Sequence, residues 1–351
     1  LVTGAGGSIG SELCRQIASF RPAELVILGH GEDSVFRIAT EMRTKHGVIL
    51  GELVKYHTVI ADIRNEQRMK QVFETFRPQI IFHAAAHKHV GLMEENISDA
   101  VTNNVSGTQV LVTLAARYGV DKFVMISTDK AVNPAGVMGA TKRVAELVVH
   151  DAAVRYAKAF VVVRFGNVLG SSGSVVPIFQ SQIEAGGPVT ITHPDMTRFF
   201  MTIPEAVQLV LQAGAMATCG EKYVLDMGQP TKIVDLARDL IRLNGMREGV
   251  DIDIVYKGLQ HGEKLHEELF YPDEKAERSA HDHIFVCPNG HFQPDNGHSS
   301  NGEFIDLVNS EHVNRNNNQA FLNNVLQLVA AAQAGKVELM KNLLVKLVPE
   351  Y

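Results

Sequence analysis

The sequence predicts an α/β protein: a doubly wound parallel sheet joined to a smaller, mixed α/β lobe. Three observations predict it. Short apolar runs alternate with helical stretches up to about residue 168, the rhythm of a parallel sheet covered by helices on both faces. A turn rich in glycine separates the first apolar run from the first helical stretch. After Gly170 the rhythm breaks and Gly- and Ser-rich sequence takes over, which marks a second lobe.

The chain opens on "LVTGAGG", the end of a strand, followed by a helix from Ser8 to Phe20. "ELVILG" reads as the second strand, "FRIATEMRTKHG" as a helix and "KYHTVIADI" as the third strand. Glu66 to Phe76 is helical, "QIIFHAAA" a strand, Ser98 to Tyr118 one long helix and "KFVMIST" a strand. A helix from Lys142 to Ala157 then leads into "AFVVVRFGNV". In the second lobe "PVTIT" and "DIDIVYKG" read as strands, while "KYVLDMG" returns a strand to the main sheet. Residues 272–318 are polar without a clear period, and Ala320 to Leu347 is helical. This divides the chain into a first domain of residues 1–168 with about 200–228, and a second of about 169–199 with 229–351, which includes the C-terminal helices.

The bulk numbers narrow the function. A net charge of -6 provides no basic surface for nucleic acid. Cys14, Cys219 and Cys287 are scattered and odd in number, as in a reducing compartment without a disulfide framework. No run is long enough to span a bilayer. Because the chain begins in mid-strand, further residues are expected before Leu1. A cytoplasmic location follows, with a membrane tether outside this chain as an alternative.

"TGAGGSIG" places Gly4, Gly7 and Gly10 between strand and helix. Glycines let the backbone approach a pyrophosphate, and the helix start at Ser8 and Ile9 supplies free N–H donors. The expected fold is therefore of Rossmann type with a dinucleotide at the glycine loop. "ADIR" puts Asp62 and Ile63 where an adenine would lie, with the carboxylate accepting from the exocyclic amine. The carboxylate that usually binds the adenosine ribose is missing: Gly29 and His30 stand at its place, with Glu32 and Asp33 beyond. NAD is the expected cofactor and NADP is not excluded. Ala84, Ala85 and Ala86 permit close approach of a cofactor, and Lys88 suits a cofactor or ligand phosphate. His83, His87 and His89 lack clustered Cys or carboxylate partners, so no metal is expected.

"STDKAVNPAGVMGATK" raises a specific problem. Lys142 stands four residues after Met138, where nucleotide-dependent oxidoreductases carry a Tyr. Thr128, Asp129 and Lys130 lie upstream at a strand end, where ligands of α/β sheets bind. Together with "HAAAHKHV", "NNVSGT", "MTRFFMTIPEA", "GEKLHEEL" and "VPEY", these motifs resemble the extended short-chain dehydrogenase/reductases. More narrowly, they resemble the UDP-N-acetylglucosamine 4,6-dehydratases of bacterial surface-glycan and protein-glycosylation pathways, in the subgroup with Met in place of Tyr.

The resemblance implies a tightly held NAD that is regenerated in each turnover. It oxidises the sugar at C4; water is eliminated across C5 and C6, and C6 is then reduced. It implies Asp129 as the acid for the departing hydroxyl and Lys130 as the C5 base. These roles require a raised pKa for Asp129 and a lowered one for Lys130. Lys142 would bind the nicotinamide ribose, and Asn104 and His30 complete the cofactor set. Asn167, Val176, Gln180, Arg198 and Glu263, with Lys88, would hold the UDP-sugar. Here "GLQHGEK" places Gln260 where relatives commonly carry an Arg, so Lys257 or Lys264 would have to supply that charge. Retention at C5 is expected, with a C5-inverting dehydratase, another nucleotide-sugar dehydratase or an epimerase as alternatives. A non-catalytic NAD-binding regulator is the remote alternative. A homo-oligomer is expected.

Overall fold

The structure is a computed structural model that describes residues 1–46, 54–287 and 311–351. Nine strands form the main sheet. In chain order the first seven are β1 (Val2–Thr3), β2 (Glu24–Gly29), β3 (Lys55–Ile60), β4 (Ile80–His83), β5 (Lys122–Thr128), β6 (Ala159–Phe165) and β7 (Lys222–Leu225). The last two are β8 (Glu277–Arg278) and β9 (Ile284–Cys287). Across the sheet the order is β8-β9-β7-β6-β5-β4-β1-β2-β3. The seven strands from β7 to β3 pair in parallel, and β9 and β8 are antiparallel additions at the edge. Phe123, Val124 and Met125 in β5 have no exposed surface on either face, as a strand covered by helices on both sides requires.

Some helix and strand ends differ from the sequence reading. The helix that carries Met138 and Lys142 spans Val137–Tyr156, five residues longer at its start than the reading from Lys142. Glu94 Oε1 accepts from the Val137 N–H at 2.6 Å and caps it. The stretch read as one helix from Ser98 is instead Ile97–Ala100, a widened turn Val101–Ser106 and Gly107–Arg117, preceded by a short helix Val90–Glu95. The helix after β2 begins at Glu32, where two acidic residues favour its N-terminus. Only Ile80–His83 of "QIIFHAAA" pairs in the sheet.

The segment 277–287, read as polar and aperiodic, extends the main sheet because β7 offers it a partner edge. Residues 288–310 of that stretch lie outside the described residues. The C-terminal stretch forms two helices, Glu311–Gln333 and Val337–Leu347, separated at Gly335 with φ +65°. Val325, Leu328, Met340 and Leu344 share one core with Met138, Ala140 and Val144. The C-terminal helices thus pack on the first lobe, whereas the sequence reading grouped them with the second. The smaller lobe has its own core, including Phe179, Ile191, Ile233 and Ile241. Among the described residues no helix is long and apolar enough to cross a membrane.

Candidate active site

The glycine loop closes one end of a cavity of about 260 Å³ beyond the carboxyl ends of β1 to β4. Gly4 has φ +65°, and a Cβ there would meet the Ala85 backbone N at 2.6 Å. A Cβ on Gly10 would fall 2.1 Å from the Gly4 carbonyl oxygen. Gly7 starts helix Ser8–Ser19 with no side-chain cap, so the first-turn N–H groups are available to an anion. His30, Asp62, Ile63 and Ala84 to Ala86 line the same cavity. The structure therefore brings most of the predicted cofactor residues together. Ser34 and Asn103 also line it and were missed. Glu32 and Asp33 do not line it; Asp33 pairs with Arg37 instead.

Three predicted residues around this cleft are engaged by the protein itself. The Arg64 guanidinium bonds the Asp62 carboxylate, down to 2.7 Å, and lowers its pKa. Asn104 accepts from His87 N at 2.8 Å and donates to His87 O and Thr141 Oγ1, so it clamps the loop that follows β4. Lys88 Nζ donates to Ser172 O at 2.8 Å, and Ser172 N donates to Ser8 Oγ at 3.1 Å. These two bonds tie the Ser-rich segment of the second lobe to the glycine loop. His83 is buried between Thr3 Oγ1 and Thr108 Oγ1, at 2.8 and 2.9 Å, and burial pushes its pKa down to about 3. Among the described residues no group of His, Cys, Asp or Glu is placed to hold a metal ion.

A second cluster lies past the end of β5. Thr128 Oγ1 donates to Asp129 Oδ1 at 2.8 Å, and Lys130 Nζ donates to the same oxygen at 2.9 Å. The Asp129 side chain is fully buried, and its Oδ2 has no hydrogen-bond partner. Lys130 also donates to Asn167 Oδ1 at 3.0 Å. Burial lowers the Lys130 pKa, but the Asp129 and Glu267 carboxylates outweigh burial and the net shift is upward. The lowered pKa that a base role for Lys130 requires is therefore not what this arrangement favours: the two carboxylates beside it favour the ammonium. Lys142 behaves oppositely. It donates to Ile126 O at 2.8 Å, and burial lowers its pKa to about 8. Met138 lies one helical turn before Lys142, 2% exposed.

The second lobe supplies the rest. Arg198 is buried and donates to Thr197 O, Leu265 O and Lys264 O, with Nε 3.6 Å from Glu267. Glu263 Oε2 accepts from Gln260 N at 3.2 Å and closes its own turn. Lys264 Nζ is bound to Val132 O and Glu268, whereas Lys257 and Gln260 are exposed. Val176 and Gln180 lie on the helix Val175–Glu184, and no hydrogen bond or ion pair links either to the cluster around Lys130.

Glu267 was missed by sequence reasoning. Its side chain is 3% exposed, its Oε1 lies 3.6 Å from Lys130 Nζ, and its Oε2 has no partner. It lines a small cavity with Lys130, Met138 and Lys264. The only signal in the sequence was the run of charges in "GEKLHEEL", and nothing local distinguishes Glu267 from Glu263 or Glu268. Behind the cluster, the fully buried Arg164 pairs with Glu146 at 2.8 Å and Glu274 at 2.9 Å. Arg164 also donates to Leu269 O, and Tyr271 Oη donates to Ala131 O at 2.8 Å. These bonds fasten the 264–271 loop over the turn that carries Asp129 and Lys130.

Comparison with known proteins gives the family. The family described as "Polysaccharide biosynthesis protein" matches residues 1–289. The chain is 54% identical to the capsular polysaccharide biosynthesis protein CapD of Staphylococcus aureus over 81% of its own length. It is 30% identical to the UDP-N-acetylglucosamine 4,6-dehydratase (inverting) of Campylobacter jejuni, covering 78% of both chains. The X-ray structure of Pen from Bacillus thuringiensis superposes with a TM-score of 0.73 at 33% identity, covering 82% of this chain and 86% of that one. The chain spans about half the length of the curated relatives that it matches at 54% and 53% identity, 47% and 45% of each. The chain therefore belongs to the polysaccharide biosynthesis protein family, within the nucleotide-sugar dehydratases and epimerases of Rossmann-type fold.

Proposed function

We propose that this chain dehydrates UDP-N-acetylglucosamine to the 4-keto-6-deoxy sugar, with NAD held at the glycine loop and NADP as the alternative. The observation that carries the reading is the Thr128-Asp129-Lys130 turn at a strand end, where the buried Asp129 carboxyl group lies beside the Lys130 ammonium. An epimerase needs no elimination acid. The cofactor fits the cleft: Gly4 and Gly10 leave room that a Cβ would fill, and the uncapped helix start faces it. When bound, NAD supplies an electron-pair acceptor for C4 oxidation and returns the pair at C6.

The chain's own residues manage the protons. Release of the C6 hydroxyl as water requires a proton from Asp129. Thr128 Oγ1, at 2.8 Å from Asp129 Oδ1, offers a path for the proton of the C4 hydroxyl to reach Asp129. The proton lost from O4 is then the one that leaves with water, and no Tyr is needed at Met138. Lys142 binds the nicotinamide ribose. Asn167, Arg198 and Lys88 face the nucleotide-sugar side, and a diphosphate there would compete with the carbonyls that Arg198 now bonds.

The test is incubation with UDP-N-acetylglucosamine followed by mass spectrometry. A product lighter by one water, with deuterium at C5 in heavy water, supports the reading. A product of unchanged mass but inverted C4 would identify an epimerase, and no product from any UDP-sugar would favour the regulator. NMR of the product reads the C5 configuration, for which we propose retention; inversion would match the inverting dehydratase of Campylobacter jejuni.

A further inference from the structure

Glu267 is a carboxylate with one unpartnered oxygen in the cavity that Lys130 and Met138 also line. The charged groups around it are Lys130 and Arg198, each 3.6 Å away, Asp129 beyond Lys130, and Lys264, which shares the cavity. His266 and Glu268 are its neighbours in sequence. A buried carboxylate flanked by two cations and hydrogen-bonded through neither oxygen is costly unless something else meets it. Its place is also defended: Arg164, Tyr271 and Lys264 all tie the 264–271 loop to the first lobe.

We propose that Glu267 is the base that removes the C5 proton, and that Lys130 serves as the ammonium that stabilises the resulting enolate. This rests on the dehydratase reading above. As the C5–H bond breaks, an O–H bond forms at Glu267 Oε2 and the electron pair moves onto the C4 oxygen, held by Lys130. Collapse of the enolate expels the C6 hydroxyl, which takes the Asp129 proton and leaves as water. When C6 has been reduced, Glu267 returns its proton to C5. Return from the group that removed it, on the same face, gives retention. The arrangement needs no neutral Lys130, in keeping with the two carboxylates that hold its charge.

The experiment compares E267Q, E267D and K130R in the full chain with cofactor bound. The readout is exchange of the C5 hydrogen of the 4-keto product in heavy water, which needs no oxidation step. E267Q should lose exchange by about 10²-fold or more, the scale of general-base catalysis, in protein that still folds. E267D should recover part of it, and K130R, which keeps the charge, should lose about tenfold or less. E267Q exchanging at the wild-type rate while K130R is dead would overturn the assignment and return the base to Lys130. Should E267Q fail to fold, the pH profile of wild type and E267D decides. A carboxylate base gives a rate that is flat above about pH 6, whereas a lysine base climbs about tenfold per pH unit towards pH 10. If the wild type dehydrates and E267Q exchanges normally, only the Glu267 assignment fails. If the wild type neither dehydrates nor exchanges, the dehydratase reading fails with it.

Discussion

The cofactor cleft and the proposed elimination site lie beside each other but are built in opposite ways. The cleft is shaped by backbone: Gly4 and Gly10 make contacts that a single methyl group would destroy. The proposed elimination site is shaped by side chains from three separate stretches, around residues 128–167, 198 and 264–274, joined by buried charges. A backbone cradle tolerates almost any chemistry nearby but no added volume. A buried charge cluster tolerates small changes of volume but no missing partner. The two regions should therefore fail separately, and mutations can test that.

The largest effect is expected from Asp129→Asn. Loss of the acid should cut dehydration by about 10²–10⁴-fold and leave cofactor affinity unchanged, as measured by steady-state kinetics and calorimetry. Wild-type turnover in this variant would remove Asp129 from the chemistry. Comparable in free energy is Arg164→Met, which strands Glu146 and Glu274 in the interior. Breaking one partner of a buried pair costs about 3–5 kcal/mol, to be read from urea unfolding.

Gly10→Ala probes the other side. A Cβ placed 2.1 Å from the Gly4 carbonyl forces the loop to shift, at a cost of about 1–3 kcal/mol. Cofactor affinity should fall steeply, while C5 exchange, measured with saturating cofactor, should change little. Equal loss of both would join the two regions into one unit.

The contrast also explains what the sequence could reveal. Glycines in a strand–turn–helix setting announce a cradle locally, so the cleft was legible down to Asp62, Ile63 and Ala84 to Ala86. The parallel strands were legible because burial on both faces leaves continuous apolar runs. Asp129 and Lys130 were legible as a pair, but not the balance of burial, Asp129 and Glu267 behind the Lys130 shift, because Glu267 arrives from 137 residues downstream in sequence. The edge strands in 277–287 were hidden for the same reason: their order comes from a partner, β7, and not from a period of their own. Resemblance to relatives suggested Glu263 and Arg198 for ligand contacts. In the folded chain Glu263 closes its own turn, and Arg198 fastens the loop that carries Glu267.

Acid should weaken the buried charge cluster around Arg164. Burial raises the Glu146 pKa, but Arg164 and its neighbours Lys222 and Arg143 outweigh this and hold it well below the usual carboxylate range. A depressed carboxylate contributes stability that is present above its unfolded value, about 4.3, and is lost as pH falls towards its folded value. Glu146→Gln should therefore flatten the decline of unfolding free energy below about pH 4.5, as followed by urea titrations. An unchanged decline would assign acid sensitivity to other groups, with Glu274, also held low by Arg164 and Lys222, the next to test.

The smallest expected effect gives the sharpest test of separability. Tyr271→Phe removes only the hydroxyl that donates to Ala131 O at 2.8 Å. The ring keeps its place under Arg143 and Arg164, whose guanidinium carbons lie 4.6 and 5.6 Å from its centroid. One lost hydrogen bond should cost about 0.5–1.5 kcal/mol. Ala131 ends the short turn Asp129–Ala131, so the lost anchor loosens the turn that aims Asp129 and Lys130. C5 exchange should fall severalfold while cofactor affinity stays at the wild-type value, because no cleft residue depends on Tyr271. If affinity falls in step with exchange, the turn and the cleft share a support, and the division between backbone cradle and side-chain cluster is wrong at the point where the two meet.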